Sequence, residues 1–367
     1  MSITWARALS WRLQQQLLDP VGDVSVAEVV RRLGAVPAKE ERLAELTVRL
    51  RRTHSRPGEV AAALVEGSLV KAYAFRGGTH YLTPEDGGAY LTVRAAGRQW
   101  ERRSWQEYYR LGPMDWPAFR AAVREALADG PLTVAELGSA VTRRSAYRHL
   151  RPVFDEGAVT LSKALTWQGD MGFGPPREGR ATFQRLDADP RWVGTWELAE
   201  AGPHVVRAYL HAYGPATPEH VHYWLGGGLS AGRRRIDGWL AELRDRLEPV
   251  AVGGETAYVL AEDADSLRAA EPTDALRLLP GHDPWVMGPG TNDEHVVPPD
   301  LRTAVTRGAD LVVRGGVVCG TWSVVRDELR VAWGPDHGSP PRTALDDEAA
   351  RLAGVLGKPL EPVVTTG

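Results

Sequence analysis

Residues 24–43 read VSVAEVVRRLGAVPAKEERL, and the interpretation of the whole chain starts from this stretch. Ser25 and Glu28 form a capping box, in which the serine hydroxyl accepts a backbone N–H and the glutamate reaches back. Apolar residues recur at helical spacing until Gly34, a residue that favours the end of a helix. A capped helix that ends in a tight turn is typical of a helix-turn-helix.

The segment after this turn carries most of the positive charge of the region. Pro37 is a favourable first residue, and the apolar spacing predicts a helix over residues 38–52. The arginines of this helix are expected on its solvent face, and they are Arg42, Arg49, Arg51 and Arg52. A hairpin is predicted over residues 68–83, because two apolar runs flank an Arg-Gly-Gly turn.

The same order of elements recurs twice. Thr133 and Glu136 form a second capping box, followed by a basic segment and a predicted hairpin over residues 158–174. Thr217 caps a helix of the third copy, which continues with a basic helix expected over residues 231–247 and a further hairpin. Three copies predict three tandem winged-helix units in an α+β fold.

The pattern changes near residue 276, where short apolar runs alternate with glycine turns and predict a small β-barrel or sheet. Residues 345–357 are expected to form a closing helix, and residues 174–179 to form a loop. The predicted domains are winged-helix units at 1–112, 113–198 and 199–272, and a barrel-like domain with its closing helix at 273–367.

Composition places the chain among ordinary globular proteins. It has 367 residues, 43% of them hydrophobic and 25% charged, and no apolar run approaches the ~20 residues of a membrane span. The first residues lack the features of a signal peptide. Cys319 is the single cysteine, which excludes an internal disulfide and is typical of a reducing cytoplasm. We expect a cytoplasmic monomer without cofactor or metal.

The arginines are clustered although the formal net charge is −3. A GC-rich genome would also favour arginine, but clustering on one face would allow the protein to bind phosphate. Alternatively, some or all three of the helix-turn-helix copies are scaffolds that pack against one another. The residues predicted to contact double-stranded DNA, alkylated DNA included, are Arg42, Arg49, Arg52, Arg76, His80, Arg143, Arg144, Arg148, Arg233 and Arg234.

Four stretches resemble the AlkZ-like winged-helix DNA glycosylase family, in the family's order and over most of the chain. They are FRGGTHYLTPED (75–86), AYLHAYGPATPEHVHYWLGG (208–227), LLPGHDPWVMG (278–288) and VVRGGVVCGTW (312–322). The resemblance implies three tandem winged helices closed by a β-barrel. It also implies hydrolysis of the N-glycosidic bond of bulky alkylated purines, which in some members gives antibiotic producers self-resistance or opens interstrand cross-links.

The family's catalytic signature, Gln-any-Gln or Gln-any-Asp, corresponds here to Pro37-Ala38-Lys39. Base excision passes through an oxocarbenium-like sugar, and a carboxylate or carboxamide is needed to position water and stabilise positive charge. Neither proline nor lysine supplies such a group. The family's catalytic residues therefore do not carry over.

Three alternatives follow. The protein keeps DNA binding, as a regulator or lesion-binding protector, without the glycosylase activity. Or it excises bases through Lys39, Glu40 and Glu41, the candidate catalytic residues, although acidic residues also suit the start of a helix. Or the register differs and the triplet Gln14-Gln15-Gln16 is the motif.

Four further residues are candidates for a site or for a structural role. His80 is a lesion-site candidate or a packed histidine. Asp283 is expected to cap backbone N–H groups in its loop. His220 and His222 diverge on a helix and do not predict a metal site.

Overall fold

The computed structural model describes residues 2–227 and 230–366, and the chain forms two compact regions. The first region comprises Met1–Val60, Val206–Trp224 and Leu240–Gly367. The second comprises Ala61–Val205 and Leu225–Trp239. Both regions are discontinuous in sequence, and the division at residues 112, 198 and 272 stays a prediction.

Helices are distributed along the whole chain. In chain order they are α1 (Trp5–Gln15), α2 (Val26–Leu33), α3 (Glu41–Arg49), α4 (Glu59–Val65), α5 (Pro84–Ala95), α6 (Arg103–Tyr109), α7 (Trp116–Ala126), α8 (Val134–Val141), α9 (Arg151–Asp155), α10 (Val159–Trp167), α11 (Leu198–Tyr213), α12 (Pro218–Gly226), α13 (Arg233–Glu242), α14 (Ala264–Ala269), α15 (Pro284–Met287), α16 (Arg302–Thr306) and α17 (Arg342–Leu356).

The strands range from two to nine residues in length. They are β1 (Ser2–Ile3), β2 (Val36–Pro37), β3 (Val70–Tyr73), β4 (Thr79–Leu82), β5 (Leu132–Thr133), β6 (Gly172–Arg177), β7 (Arg180–Gln184), β8 (Leu247–Val252), β9 (Glu255–Leu260), β10 (Leu276–Leu279), β11 (Asp310–Arg314), β12 (Val317–Val325), β13 (Glu328–Trp333) and β14 (Glu361–Thr366).

The first region contains two sheets. One has the order β1-β8-β9, with β1 parallel to β8. The other has the order β10-β11-β12-β13-β14. The predicted C-terminal sheet and the closing helix α17 are present, but a closed barrel is wrong for the described residues. The reason is that β14 pairs parallel with β13 after α17 and so extends one edge of the sheet, while β10 remains the other edge.

The second region contains strands in the order β4-β3-β6-β7-β5. The predicted first hairpin is confirmed as β3 and β4, which pair antiparallel. The predicted second hairpin is displaced: most of residues 158–174 form α10, and the hairpin is β6 and β7. Leu161, Ala164 and Leu165 are buried, so the apolar residues of this segment follow helical and not alternating spacing. The supposed loop at 174–179 accordingly lies within that hairpin.

The two capping boxes differ. At Thr133 both halves form, because Glu136 N donates to the threonine hydroxyl and the Glu136 carboxylate accepts from Thr133 N. At Ser25 only the hydroxyl acts, accepting from Glu28 N at 3.1 Å. The Glu28 carboxylate instead binds the arginines at positions 31 and 32. Both helices begin at their predicted positions, and α2 also ends at Leu33 as predicted.

The helix after the first turn begins later than predicted. Pro37 lies in β2, and α3 starts at Glu41 and ends at Arg49. Its inner face, with Leu46 and Leu50, packs into a core shared with the C-terminal sheet and α17. In each predicted copy, helices precede a hairpin, as expected, with α10 as an addition; the number of winged helices stays a prediction.

Candidate functional site

The segment that corresponds to the family's motif forms a short exposed connection. Ala38 is buried, whereas Lys39, Glu40 and Glu41 are exposed to solvent. Glu40 occupies the cap position of α3, but its side chain makes no capping hydrogen bond. The Glu40 carboxylate is therefore available to a ligand.

A small pocket of about 30 Å³ lies beside this connection. A space of ~10–15 Å³ suffices for one water molecule. Of the three candidate catalytic residues, Lys39 and Glu40 line the pocket and Glu41 does not. The lining residues are Pro37, Lys39, Glu40, Leu43, Thr47, Gly281 and His282.

A buried ion pair fixes the opposite wall of the pocket. Arg51 donates to both carboxylate oxygens of Asp283, at 2.6 and 2.9 Å, and the two side chains are fully buried. Asp283 also accepts from Trp285 N, which confirms its predicted capping role at α15. Because His282 immediately precedes Asp283, this pair holds the histidine against the segment that leads into α3.

A second carboxylate lies behind the same wall. Asp310, the first residue of β11, accepts from Gly281 N at 2.7 Å. Burial raises the pKa of Asp310, while the Gly281 hydrogen bond and Arg42 oppose that rise and Glu40 adds to it. The charges of Glu40 and Arg42 are therefore close enough to influence the Asp310 carboxyl group.

Sequence reasoning missed His282 and Asp310. His282 lies in the HDPW stretch beside Asp283, and it lines the same pocket as Pro37 although the two residues are far apart in sequence. Asp310 begins a strand, and an acidic residue at that position gives no local signal. The alternative motif is disfavoured: Gln16 is buried and donates to Ala212 O, whereas Gln14 is exposed.

The DNA-binding candidates of the first region divide into exposed and internal side chains. Arg42 is exposed. The expected exposure is wrong for Arg49, which is buried and donates to Ser55, and for Arg51. Arg52 binds Glu59 and the carbonyl oxygen of residue 24. These guanidiniums are turned inward because α3 is short and its end packs into the core.

Most candidates of the second region are exposed. Arg76 lies at the first hairpin turn with φ 52°, and Arg144 is paired with Glu125 at 2.5 Å. The other predicted DNA-binding arginines of this region are also exposed, and they are Arg143, Arg148, Arg233 and Arg234.

His80 is half-buried and electrically neutral at pH 7. Burial lowers its pKa to about 4, and the contact of its Nδ1 with Gly78 O at 3.1 Å opposes this only weakly. Its ring packs edge-on against Phe75. His80 is therefore suited to packing or hydrogen bonding, and a cationic phosphate contact by this residue is disfavoured.

The remaining polar candidates serve the fold. His220 accepts from Thr217 N and lies 3.7 Å from Asp293. Burial raises the pKa of Cys319 to about 12. Within residues 2–227 and 230–366, no three histidine, cysteine, aspartate or glutamate side chains are grouped as a metal site. No helix in the same residues has the length and apolar character needed to cross a membrane.

Comparison with known proteins gives the class first. An interstrand DNA cross-link repair glycosylase of Streptomyces sahachiroi is 35% identical over 371 residues, covering 99% of both chains. The solved structure of the Streptomyces sahachiroi DNA glycosylase AlkZ superposes with a TM-score of 0.94 and 34% identity, covering 100% of both chains. These similarities define a DNA glycosylase fold.

The family follows from a direct match. Residues 30–355 match the family described as DNA glycosylase AlkZ-like, and the chain belongs to that family. The resemblance inferred from the four sequence stretches is confirmed. Since DNA glycosylases act on DNA, the prediction of a DNA-binding protein of DNA repair is also confirmed at this level.

Proposed function

We propose that this protein is an N-glycosylase that hydrolyses the bond between deoxyribose and a bulky alkylated purine in double-stranded DNA. Interstrand cross-links are among its expected substrates, because the relative of known activity is named for their repair. The observation that supports the proposal is the pocket at the motif position, which combines a free carboxylate, Glu40, with His282.

The geometry supplies groups that suit this chemistry without the family's glutamines. As the bond to the purine breaks, the sugar develops positive charge and water attacks its anomeric carbon. The anionic Glu40 stabilises that charge and accepts a proton from the water. The ammonium of Lys39 would oppose the sugar's charge, so Lys39 is better suited to contact a DNA phosphate.

Release of an alkylated base under single-turnover conditions tests the proposal. The substrate is duplex DNA with one bulky N7-alkylguanine. We expect Glu40→Gln to lower the rate constant by about 100-fold or more, as for removal of a general base, while DNA affinity is retained. Glu41→Gln is the matched control, because it removes the neighbouring carboxylate outside the pocket and should change the rate less than about twofold.

Other results select between the remaining possibilities. Base release no faster than spontaneous depurination, together with tight, salt-sensitive binding, would favour a lesion-binding protein without excision, as Pro37 and Lys39 at the motif position would allow. Absence of DNA binding at low salt would reject both functions. Borohydride trapping on DNA with an abasic site addresses Lys39: we expect no covalent adduct, and an adduct lost in Lys39→Met would make Lys39 the nucleophile.

The setting of this activity is also a proposal. Excision of bulky alkyl adducts would protect a producer of a DNA-alkylating natural product, and the reaction would occur in the cytoplasm. Loss of the gene should then increase sensitivity to the producer's own alkylating compound and leave sensitivity to unrelated antibiotics unchanged.

A further inference from the structure

The hairpin turn between β3 and β4 lies beside two basic side chains from different helices. The turn contains Gly77 with φ 76°, a conformation that favours glycine. Arg94 comes from α5 and Lys163 from α10, and both helices pack against β3. All of these residues belong to the second compact region, away in sequence from the Pro37 segment.

Arg94 is a buried cation that has no anionic partner among the residues that the structure describes. Its guanidinium carbon lies 4.1 Å from the centre of the Trp167 ring, and the residue is only 6% exposed. Its Nε and Nη1 atoms are buried without a hydrogen-bond partner. Burial lowers the pKa of Arg94 to about 10, so the guanidinium still carries its charge at pH 7.

Lys163 brings a second positive charge to the same place. Its ammonium lies 5.4 Å from the centre of the Tyr73 ring, and no ion pair or hydrogen bond of it is found in the described part of the chain. A β-carbon on Gly77 would lie 3.6 Å from Lys163 Nζ and 3.8 Å from Arg94 Nη2. Two cations therefore converge on the space that the missing side chain leaves open.

Such an arrangement is costly unless an anion completes it. A buried charge without a partner loses its hydration, whereas an ion with the right geometry restores both the charge balance and the hydrogen bonds. A guanidinium and an ammonium side by side are the groups that proteins use for phosphate. Gly77 is partly exposed and Gly78, the next residue of the turn, is exposed, so the turn itself borders solvent.

We propose that Arg94, Lys163 and the Gly77 turn form a binding site for one phosphate group, and that the DNA backbone supplies it. Gly77 keeps the turn free of a side chain. Arg94 donates to the phosphate from α5, and Lys163 donates from α10. The site rests on DNA being the ligand and not on base excision, so binding to undamaged duplex tests it separately from the proposed activity.

The first test compares two lysine substitutions by fluorescence anisotropy on an undamaged duplex over a range of salt concentrations. Lys163→Gln should weaken binding about tenfold at low salt, as expected for a lost hydrogen bond to a charged group. It should also reduce the slope of log K against log salt by about 1. Lys358→Gln is the control, since that lysine donates to the Arg326 carbonyl and should leave both quantities unchanged.

The second test fills the space without changing a charge. Gly77→Ala should weaken duplex binding about as much as Lys163→Gln does. Gly179→Ala is the matched control, because Gly179 has φ 74° at the other hairpin of this region, with nothing within 4 Å of an added β-carbon. Backbone strain is thus equal in the two variants, and thermal unfolding confirms that both are folded.

A third measurement distinguishes a phosphate of the DNA backbone from free inorganic phosphate as the ligand. Inorganic phosphate should raise the unfolding temperature of the parent protein, but not that of Lys163→Gln. If phosphate protects the parent protein but not Lys163→Gln, while Lys163→Gln binds the duplex as tightly as the parent does, the phosphate site would stand and DNA would be overturned as the source of the phosphate. Equal effects of Lys163→Gln and Lys358→Gln in every assay would overturn the site.

Discussion

Arg51 and Arg94 are both buried arginines, and they differ in what surrounds the charge. Arg51 donates to both oxygens of Asp283 and to Thr47 O. Arg94 lies over Trp167, and among the described residues two of its nitrogen atoms have no partner, whereas in Arg51 Nε alone lacks one. A guanidinium that the protein itself neutralises holds the fold together, whereas one left unneutralised indicates a site for an external anion.

The difference also separates two kinds of family motif. The HDPW stretch provides Asp283, which joins α15 to the end of α3 and thereby positions His282. The FRGG stretch provides Gly77, which leaves open the space that Arg94 and Lys163 face. One motif is therefore structural and places His282 at the pocket, and the other leaves open the space that we propose for a ligand.

The largest expected effect is on the paired arginine. Arg51→Met leaves the Asp283 carboxylate buried without its partner, and we expect the free energy of unfolding to fall by about 3–5 kcal/mol. Urea denaturation followed by circular dichroism measures this. Arg103→Met, which breaks a solvent-exposed pair with Glu107, is the control and should leave stability unchanged within error. A loss no larger than in the control would mean that the buried pair does not hold the pocket wall.

A smaller effect on stability is expected at the unpaired arginine. Arg94→Met replaces an unneutralised charge by an apolar chain of similar length, so the free energy of unfolding should change by less than about 1.5 kcal/mol. Affinity for undamaged duplex should nevertheless fall. A stability loss as large as that of Arg51→Met, with unchanged DNA affinity, would remove the distinction between the two arginines.

The smallest effect is expected at His80, a titratable group that burial keeps neutral. With its pKa lowered to about 4, His80 stays neutral in the folded protein from pH 5.5 to 8. An unfolded histidine binds its proton near pH 6.5, so this residue's contribution to stability is present above that pH and is lost as pH falls toward 4.

Nuclear magnetic resonance of the His80 Cε1–H group checks this directly, with no titration expected above pH 5. His80→Gln should leave the salt dependence of DNA binding unchanged. A midpoint near pH 6.5 would instead make His80 a third cation beside the hairpin turn.

Local patterns predicted many elements because each depends on residues within a few positions. Ser25 and Thr133 both cap the helices that follow them, and the Arg-Gly-Gly turn does join β3 and β4. Prediction was less successful where two periodicities compete, as in α10, and where closure depends on the last strand, as at β14. The catalytic candidates followed from the motif position alone, and of these the structure places Lys39 and Glu40 at a pocket.

The sequence by itself determined the capped helices, the first and third hairpins and the family, because these depend on short stretches whose residues interact locally or recur in a fixed order. Only the tertiary structure decided which charges are neutralised. Arg51 and Asp283 are 232 residues apart, and Lys163 approaches Gly77 from another helix. The sequence does not distinguish an arginine that is buried against a carboxylate from one that is left without a carboxylate. That difference in surroundings separates the structural charges from those that we propose to bind DNA.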